Sequence, residues 1–267
     1  MKTTSTTALT NDEYRSTPHW SSSDLSNINK SPALVEWNKN CPTVGSDSVD
    51  LGTHLHCALL EPDVFASDYI KMPEFDGRTN AGKLAKQSFT DNMKASNKIL
   101  LDHDAYEMVI AMRDSALAHP VANKLLTASG QSEISIFSEI NGLKVKCRPD
   151  RIPDHKHFGH MLVDVKKTAD IDTFAKSAIN FRYHVQHPFY SDIYKRLTGA
   201  LPRFIFVVVG EKRSIGRHPV RVWELPGELV EKGRAEYLED LESARELQDF
   251  GCGLDIEELH IPGYLLK

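Results

Sequence analysis

The sequence predicts an α/β fold in which strands are laid between helices in one layered core. Three stretches carry this reading. Asn141-Gly142 separates two runs of alternating character, the pattern of a tight hairpin. Residues 203–209, RFIFVVV, form a β-branched and aromatic run of buried-strand type. Between and around them lie amphipathic helical segments such as 103–118.

The elements follow in order. The first 20 residues are Ser/Thr-rich, lack an apolar export signal and read as a flexible segment. Residues 21–267 read as a single domain. In WSSSDLSNINKSPALVEWN, Ser22, Ser23 or Asp24 is placed to cap a short helix, and Ser31-Pro32 to start a second. DSVDLGTHLHCALLE, 47–61, reads as a buried helix ended by Pro62. On it His54 and His56 point to different sides. Residues 72–98 are polar and read as a loop with a helix. Residues 103–118 form a helix that ends before His119-Pro120. A short helix follows to Leu126.

The hairpin strands span about 133–139 and 143–148. In the second, Leu143, Val145 and Cys147 share one face, and Lys144, Lys146 and Arg148 share the other. A third strand, MLVDVKK, puts Asp164 and Lys166 on one face and Val163 and Val165 on the opposite one. Helices follow at 170–180 and in FRYHVQHPFYSDIYKRL, where Pro188 requires a first-turn position or a kink. HPVRVWEL reads as an edge strand because of Pro219. Residues 228–249 form a long helix with eight Asp/Glu against three Lys/Arg.

Composition excludes several classes. No apolar run can cross a membrane. No GxGxxG and no P-loop occurs, so neither a Rossmann site nor an ATPase is indicated. The four cysteines form no CxxC pair, so no zinc or iron–sulfur site is indicated, and reduced thiols in the cytoplasm are expected. Net charge is −5, but residues 142–203 hold twelve Lys/Arg against six Asp. The cations therefore concentrate from the second hairpin strand onward, as a phosphate groove requires.

Asp150 and Asp164 come from neighbouring strands, and two such carboxylates suit a hard divalent cation. A lysine beside them can act on a water or stabilise charge on a phosphate. Pro149-Asp150 followed by Asp164-Val165-Lys166 resembles the PD-(D/E)xK nuclease signature. The resemblance extends further, from about Ser22 to about Glu224. SSSDLSNINKSPA, LGTHLHCALLEP, KCRPDR, DVK and QHPFY are similar, in order and spacing, to motifs of the RecE-type exonuclease VIII family, a RecB-like branch of that superfamily.

That resemblance implies a PD-(D/E)xK core, a central mixed β-sheet flanked by helices. It implies that His56, Asp150 and Asp164 bind Mg²⁺, with the Val165 carbonyl as a further ligand and Mn²⁺ as a substitute. Lys166 is then the catalytic lysine, and Glu133 an additional acidic residue near the metal. Gln186 and Tyr190 form the Q-x-x-x-Y motif, which holds the DNA end or braces the ligands. Arg148 with Lys144 and Lys146, and Ser22 with Ser23, are candidate phosphate contacts. The implied activity is 5′-to-3′ digestion of linear duplex DNA, leaving 3′ tails for a single-strand annealing partner. A ring-shaped homo-oligomer, trimer or tetramer, is the implied assembly. The alternatives are an endonuclease on the same core and a catalytically silent DNA-binding subunit.

Overall fold

The computed structural model describes residues 3–6, 9–41, 47–96 and 98–252. The final residues of the expected domain, 253–267, lie outside that set. In chain order the elements begin with β1 (Thr4–Thr6), α1 (Asn11–Ser16), α2 (Ser22–Ile28), α3 (Pro32–Asn40), α4 (Asp47–Leu60) and α5 (Pro62–Asp68). Next come β2 (Tyr69–Lys71), α6 (Asn80–Ala95), β3 (Ile99–Leu101), α7 (His103–Ala118) and α8 (Pro120–Thr127). The central part holds β4 (Gly130–Ser132), β5 (Ser135–Ile140), β6 (Leu143–Cys147), β7 (Arg151–Pro153), α9 (His155–Phe158) and β8 (Met161–Thr168). The chain closes with α10 (Phe174–Asn180), α11 (Tyr183–Thr198), β9 (Arg203–Gly210), β10 (Val220–Trp223) and α12 (Gly227–Phe250).

A five-stranded mixed sheet, ordered β10-β9-β8-β7-β4, forms the centre. Its β8 and β9 run parallel, with Asp164 opposite Phe206. Alternation along these two strands builds a core on each face. Leu162, Phe204, Phe206 and Val208 pack with α2, α10, α11 and α12. Val163, Val165, Ile205, Val207 and Val209 pack with α4, α7 and α8. Asp164 and Lys166 therefore face the α11 side, and the Val165 side chain faces α4. Strand β10 is the edge, which suits the proline just before it.

The hairpin β5–β6 pairs Ile140 with Leu143 around Asn141 and Gly142, both in the left-handed region (φ 50° and 80°). Leu143, Val145 and Cys147 are buried as their parity predicts. The other face departs from the row of phosphate contacts expected. Lys146 is 3 % exposed, and its Nζ donates to the carbonyls of Tyr14, Arg15 and Thr17. Arg148 donates to Ser135 Oγ, Asn11 Oδ1 and the Leu9 carbonyl, and its guanidinium lies 4.2 Å from the Tyr14 ring centroid.

The described N-terminal residues are thus packed, not frayed. Strand β1 pairs with β5, and Trp20 bridges Val145 on the other edge. Thr10 and Glu13 close a capping box on α1. Both hairpin cations satisfy carbonyl oxygens of this segment, and each such charge-assisted bond contributes roughly 1.5–3 kcal/mol.

Two further differences concern helices. Pro62 ends α4 but also opens α5, since a proline in the first turn lacks only a redundant donor. Pro188 lies inside α11, beyond its first turn. It can offer no N–H to the His184 carbonyl. Gly233 of α12 sits against that carbonyl, where a Cβ would come within 1.8 Å of the oxygen. Only a glycine permits so close an approach of the two helices.

Candidate active site

The site is assembled on β8. The Val165 amide donates to Asp150 Oδ2 at 2.6 Å, which ties the loop after β6 to the middle of β8. The Val165 carbonyl lies 2.8 Å from His56 Nε2. A carbonyl can only accept, so Nε2 carries the proton and Nδ1 presents its lone pair. That Nδ1 lies 3.6 Å from Asp150 Oδ2. Helix α4 supplies His56 because Leu55 and Leu59, buried on the sheet, fix its rotation. His54 turns away and packs edge-on against Tyr69, at 5.3 Å between ring centroids.

Glu133 completes a cluster. One atom each from His56, Glu133 and Asp150 lies within 4.8 Å of the others. Glu133 precedes β5 and does not begin it. Its φ is 52°, in the left-handed region that non-glycine residues seldom adopt, and its amide donates to the Asp150 carbonyl at 3.1 Å. Burial, then the Asp150 carboxylate, pushes Glu133 up to about 8. Burial also raises Asp150, to about 6, against the opposing pull of His56. A buried acid, a half-buried one and an imidazole at this spacing suit a divalent cation, which would neutralise the charge that burial disfavours.

Asp164 lies on the other side of the Val165 backbone. Gln186 Nε2 donates to its Oδ1 at 2.7 Å. Its Oδ2 pairs with Lys166 Nζ at 2.7 Å and takes no further hydrogen bond among the described residues. Burial pulls the Lys166 ammonium down, but Asp164 and Asp150 outweigh it and hold the lysine charged. The Nζ also sits 4.6 Å from the Tyr183 ring centroid. Tyr190 is buried and lines the same cleft as Gln186 and Ser22.

A cleft of about 440 Å³ opens at Lys166, between α2 and the start of α11. Ser22, Ser23, Lys166, Gln186 and Tyr190 line it, with Lys30 at its edge. The cap of α2 is Ser21, in a reciprocal box with Asp24, which leaves Ser22 and Ser23 facing the cleft. Lys144 is exposed, whereas Lys146 and Arg148 are spent on the N-terminal segment as described.

The structure thus brings together His56, Glu133, Asp150, Asp164, Lys166, Gln186, Tyr190, Ser22 and Ser23. Val165 enters through its backbone, with its carbonyl orienting the imidazole. Tyr183 and Lys30 were missed. Ser22 and Ser26 lie four residues apart on α2 and Lys30 follows four further, in the turn just past its end, so the spacing could have pointed to Lys30. Tyr183 meets Lys166 only through the packing of α11 on β8, which no local pattern announces.

A three-layer α/β/α core carrying a Pro-Asp, an Asp-x-Lys and a helix-borne glutamine is that of the PD-(D/E)xK nuclease superfamily. The chain belongs to a family within it, the PDDEXK-like domain of unknown function DUF3799, whose model matches residues 21–250. A search of curated proteins returns no match. Among solved structures, the chain is similar to a candidate exonuclease from Eubacterium rectale, at 12 % identity, a TM-score of 0.66 and 98 % coverage of each chain. It aligns more weakly with Rai1 of Scheffersomyces stipitis, at 12 % identity over 85 % of this chain and 67 % of that one. Its TM-score of 0.28 is too low to indicate a shared fold. No helix among the described residues is long and apolar enough to cross a membrane.

Proposed function

We propose that the protein is a Mg²⁺-dependent exodeoxyribonuclease that degrades linear double-stranded DNA from 5′ to 3′. The observation that carries this reading is the His56–Glu133–Asp150 cluster beside the Lys166–Asp164 pair, with Lys166 at the wall of an open cleft. A phosphodiester hydrolase needs both parts: donors for a cation, and a fixed positive charge at the phosphate.

His56, Glu133 and Asp150 would hold the cation, with Asp164 adjacent. When bound, Mg²⁺, or Mn²⁺ in its place, supplies Lewis-acid activation of water and neutralises phosphate charge. Lys166 is held as an ammonium between Asp164 and Tyr183, so it acts on the scissile phosphate or its incoming water as a positioned charge. Gln186 fixes the Asp164 carboxylate through Oδ1. Ser22, Ser23 and Lys30 receive neighbouring phosphates at the cleft wall. The motif resemblance extends the proposal to a ring-shaped homo-oligomer on DNA ends and a single-strand annealing partner for the 3′ tail.

The test is a linear duplex labelled at either 5′ end, incubated with Mg²⁺ and with EDTA, alongside a closed circular duplex. Loss of the linear form in Mg²⁺ alone, with the circle intact, is expected. Nicking of the circle would replace the exonuclease by an endonuclease on the same core. Digestion in EDTA, or none in either condition, would overturn the proposal. Binding measured in Ca²⁺ should weaken steeply with salt, as phosphate contacts do.

A further inference from the structure

Phe181 is 65 % exposed. A single exposed aromatic is ordinary on a protein surface. This one lies in the same cleft as Lys166 and Gln186. Nor does it sit on a loose loop. Its amide donates to the Ser177 carbonyl at 2.9 Å at the end of α10, and the next amide, of Arg182, donates to the Ile179 carbonyl at 3.0 Å. Arg182 takes the left-handed conformation (φ 56°), which turns the chain sharply into α11. Its guanidinium is anchored on α12 by Asp240 at 2.5 Å and Glu236 at 3.6 Å. An unfavourable backbone geometry is thus fixed by part-buried ion pairs, and it leaves Phe181 projecting beside the cleft. Tyr183, on the same cleft, packs against the ring at 5.9 Å between centroids.

The cleft wall therefore offers hydroxyls from Ser22 and Ser23, a cation from Lys166 and a flat apolar ring within about 440 Å³. That volume lies in the range of small-ligand sites. The combination matches one nucleotide: phosphate on the polar wall, base on the ring. We propose that Phe181 forms a base-stacking subsite for the nucleotide adjoining the scissile phosphate, taking its base out of the helical stack. This rests on the nuclease reading above. Aromatic stacking of an unpaired base tolerates any sequence, because every base has a π-face, so the subsite suits an enzyme that cuts without sequence preference.

The test pairs a protein change with a substrate change in single-turnover cleavage in Mg²⁺. The substrates are a duplex with a normal terminal nucleotide and the same duplex with an abasic terminal nucleotide. The proteins are the full chain, Phe181→Ala and Phe181→Trp, with Mn²⁺ binding measured calorimetrically on each. On the normal duplex, Phe181→Ala is expected to lose about 10- to 100-fold in rate at subsaturating protein, and Phe181→Trp to keep the rate. The unmodified chain should lose a similar factor on the abasic duplex, where Phe181→Ala should add little further loss. Mn²⁺ affinity should be unchanged throughout. Equal rates for Phe181→Ala and the unmodified chain on the normal duplex would overturn the inference while leaving the nuclease reading intact. So would a full further loss on the abasic duplex. No cleavage of either substrate by the unmodified chain would overturn the nuclease reading, and the inference with it.

Discussion

Gln186 on α11 donates a 2.7 Å hydrogen bond to Oδ1 of Asp164 on β8, so a helix amide sets the orientation of a buried carboxylate. Removing that donor leaves Asp164 with Lys166 alone. Gln186→Leu is expected to cut the rate of DNA cleavage about 10- to 100-fold, the usual cost of losing a partner behind a metal-site carboxylate. Gln186→Glu should cost more, since it sets a second carboxylate against the first. Single-turnover rates in Mg²⁺ measure both. Unchanged cleavage by the leucine variant would show that Asp164 needs no such brace.

The two histidines of α4 separate by face. His56→Ala should lower Mn²⁺ affinity roughly 100-fold or more and end cleavage, because a metal donor should cost at least what an outer partner costs. His54→Ala should cleave at near the original rate, since its ring contacts Tyr69. Calorimetric titration with cleavage assays decides it. The reverse pattern would move the metal to another side of the helix.

Lys166→Ala should lose about 10²–10⁴-fold in cleavage rate, the range for a positioned charge or proton-transfer group. Metal binding should survive, as His56, Glu133 and Asp150 remain. Cleavage at the original rate would remove Lys166 from the chemistry.

The acids at the cluster predict a pH dependence of definite sign. Glu133 is raised to about 8 and Asp150 to about 6, both above their ordinary carboxylate values. The metal-free fold therefore binds protons that the unfolded chain has released, and this favours folding at low pH. The contribution is full below the unfolded values and is lost as pH rises through about 6 to about 8. Thermal melts in EDTA should fall across that window. Mg²⁺ should restore stability at the high end, where its ligands are ionised. Glu133→Gln should flatten the EDTA curve between pH 6 and 8. A melt that rises through the window would contradict the burial of these groups.

Gly233→Ala tests the contact between α11 and α12. A Cβ there meets the His184 carbonyl at 1.8 Å, so one helix must move. Overpacking of this kind costs about 1–3 kcal/mol, occasionally more. The Tm should fall by several degrees, and cleavage should fall with it, because Gln186 and Tyr190 ride on α11. A melt at the original temperature would mean that the helices have slack.

Much of this site is legible in the chain because short-range rules govern it. Parity places Asp164 and Lys166 together on β8, and Asn141-Gly142 fixes the hairpin through its demand for positive φ. The helical repeat separates His56 from His54. The destinations of Lys146 and Arg148 are not legible in this way. A lysine at an alternate strand position looks solvent-facing, and what covers it comes from residues 14–17, far away in sequence. Glu133 shows the same limit from another direction. Its position before β5 was readable, but its left-handed backbone, bonded to the Asp150 carbonyl, depends on two loops meeting.

The packing of β1 and α1 on the hairpin has a bearing on how the protein could be trimmed. Without residues 3–17, β5 would become an open sheet edge with unpaired amides and carbonyls. Lys146 and Arg148 would lose the carbonyl oxygens that now receive them and face water on the same surface. A shortened protein would thus gain two cations and a free strand edge at once, becoming stickier toward nucleic acid and toward its own copies. The N-terminal segment acts as a cover that keeps Lys146 and Arg148 from water and closes the β5 edge to strand addition.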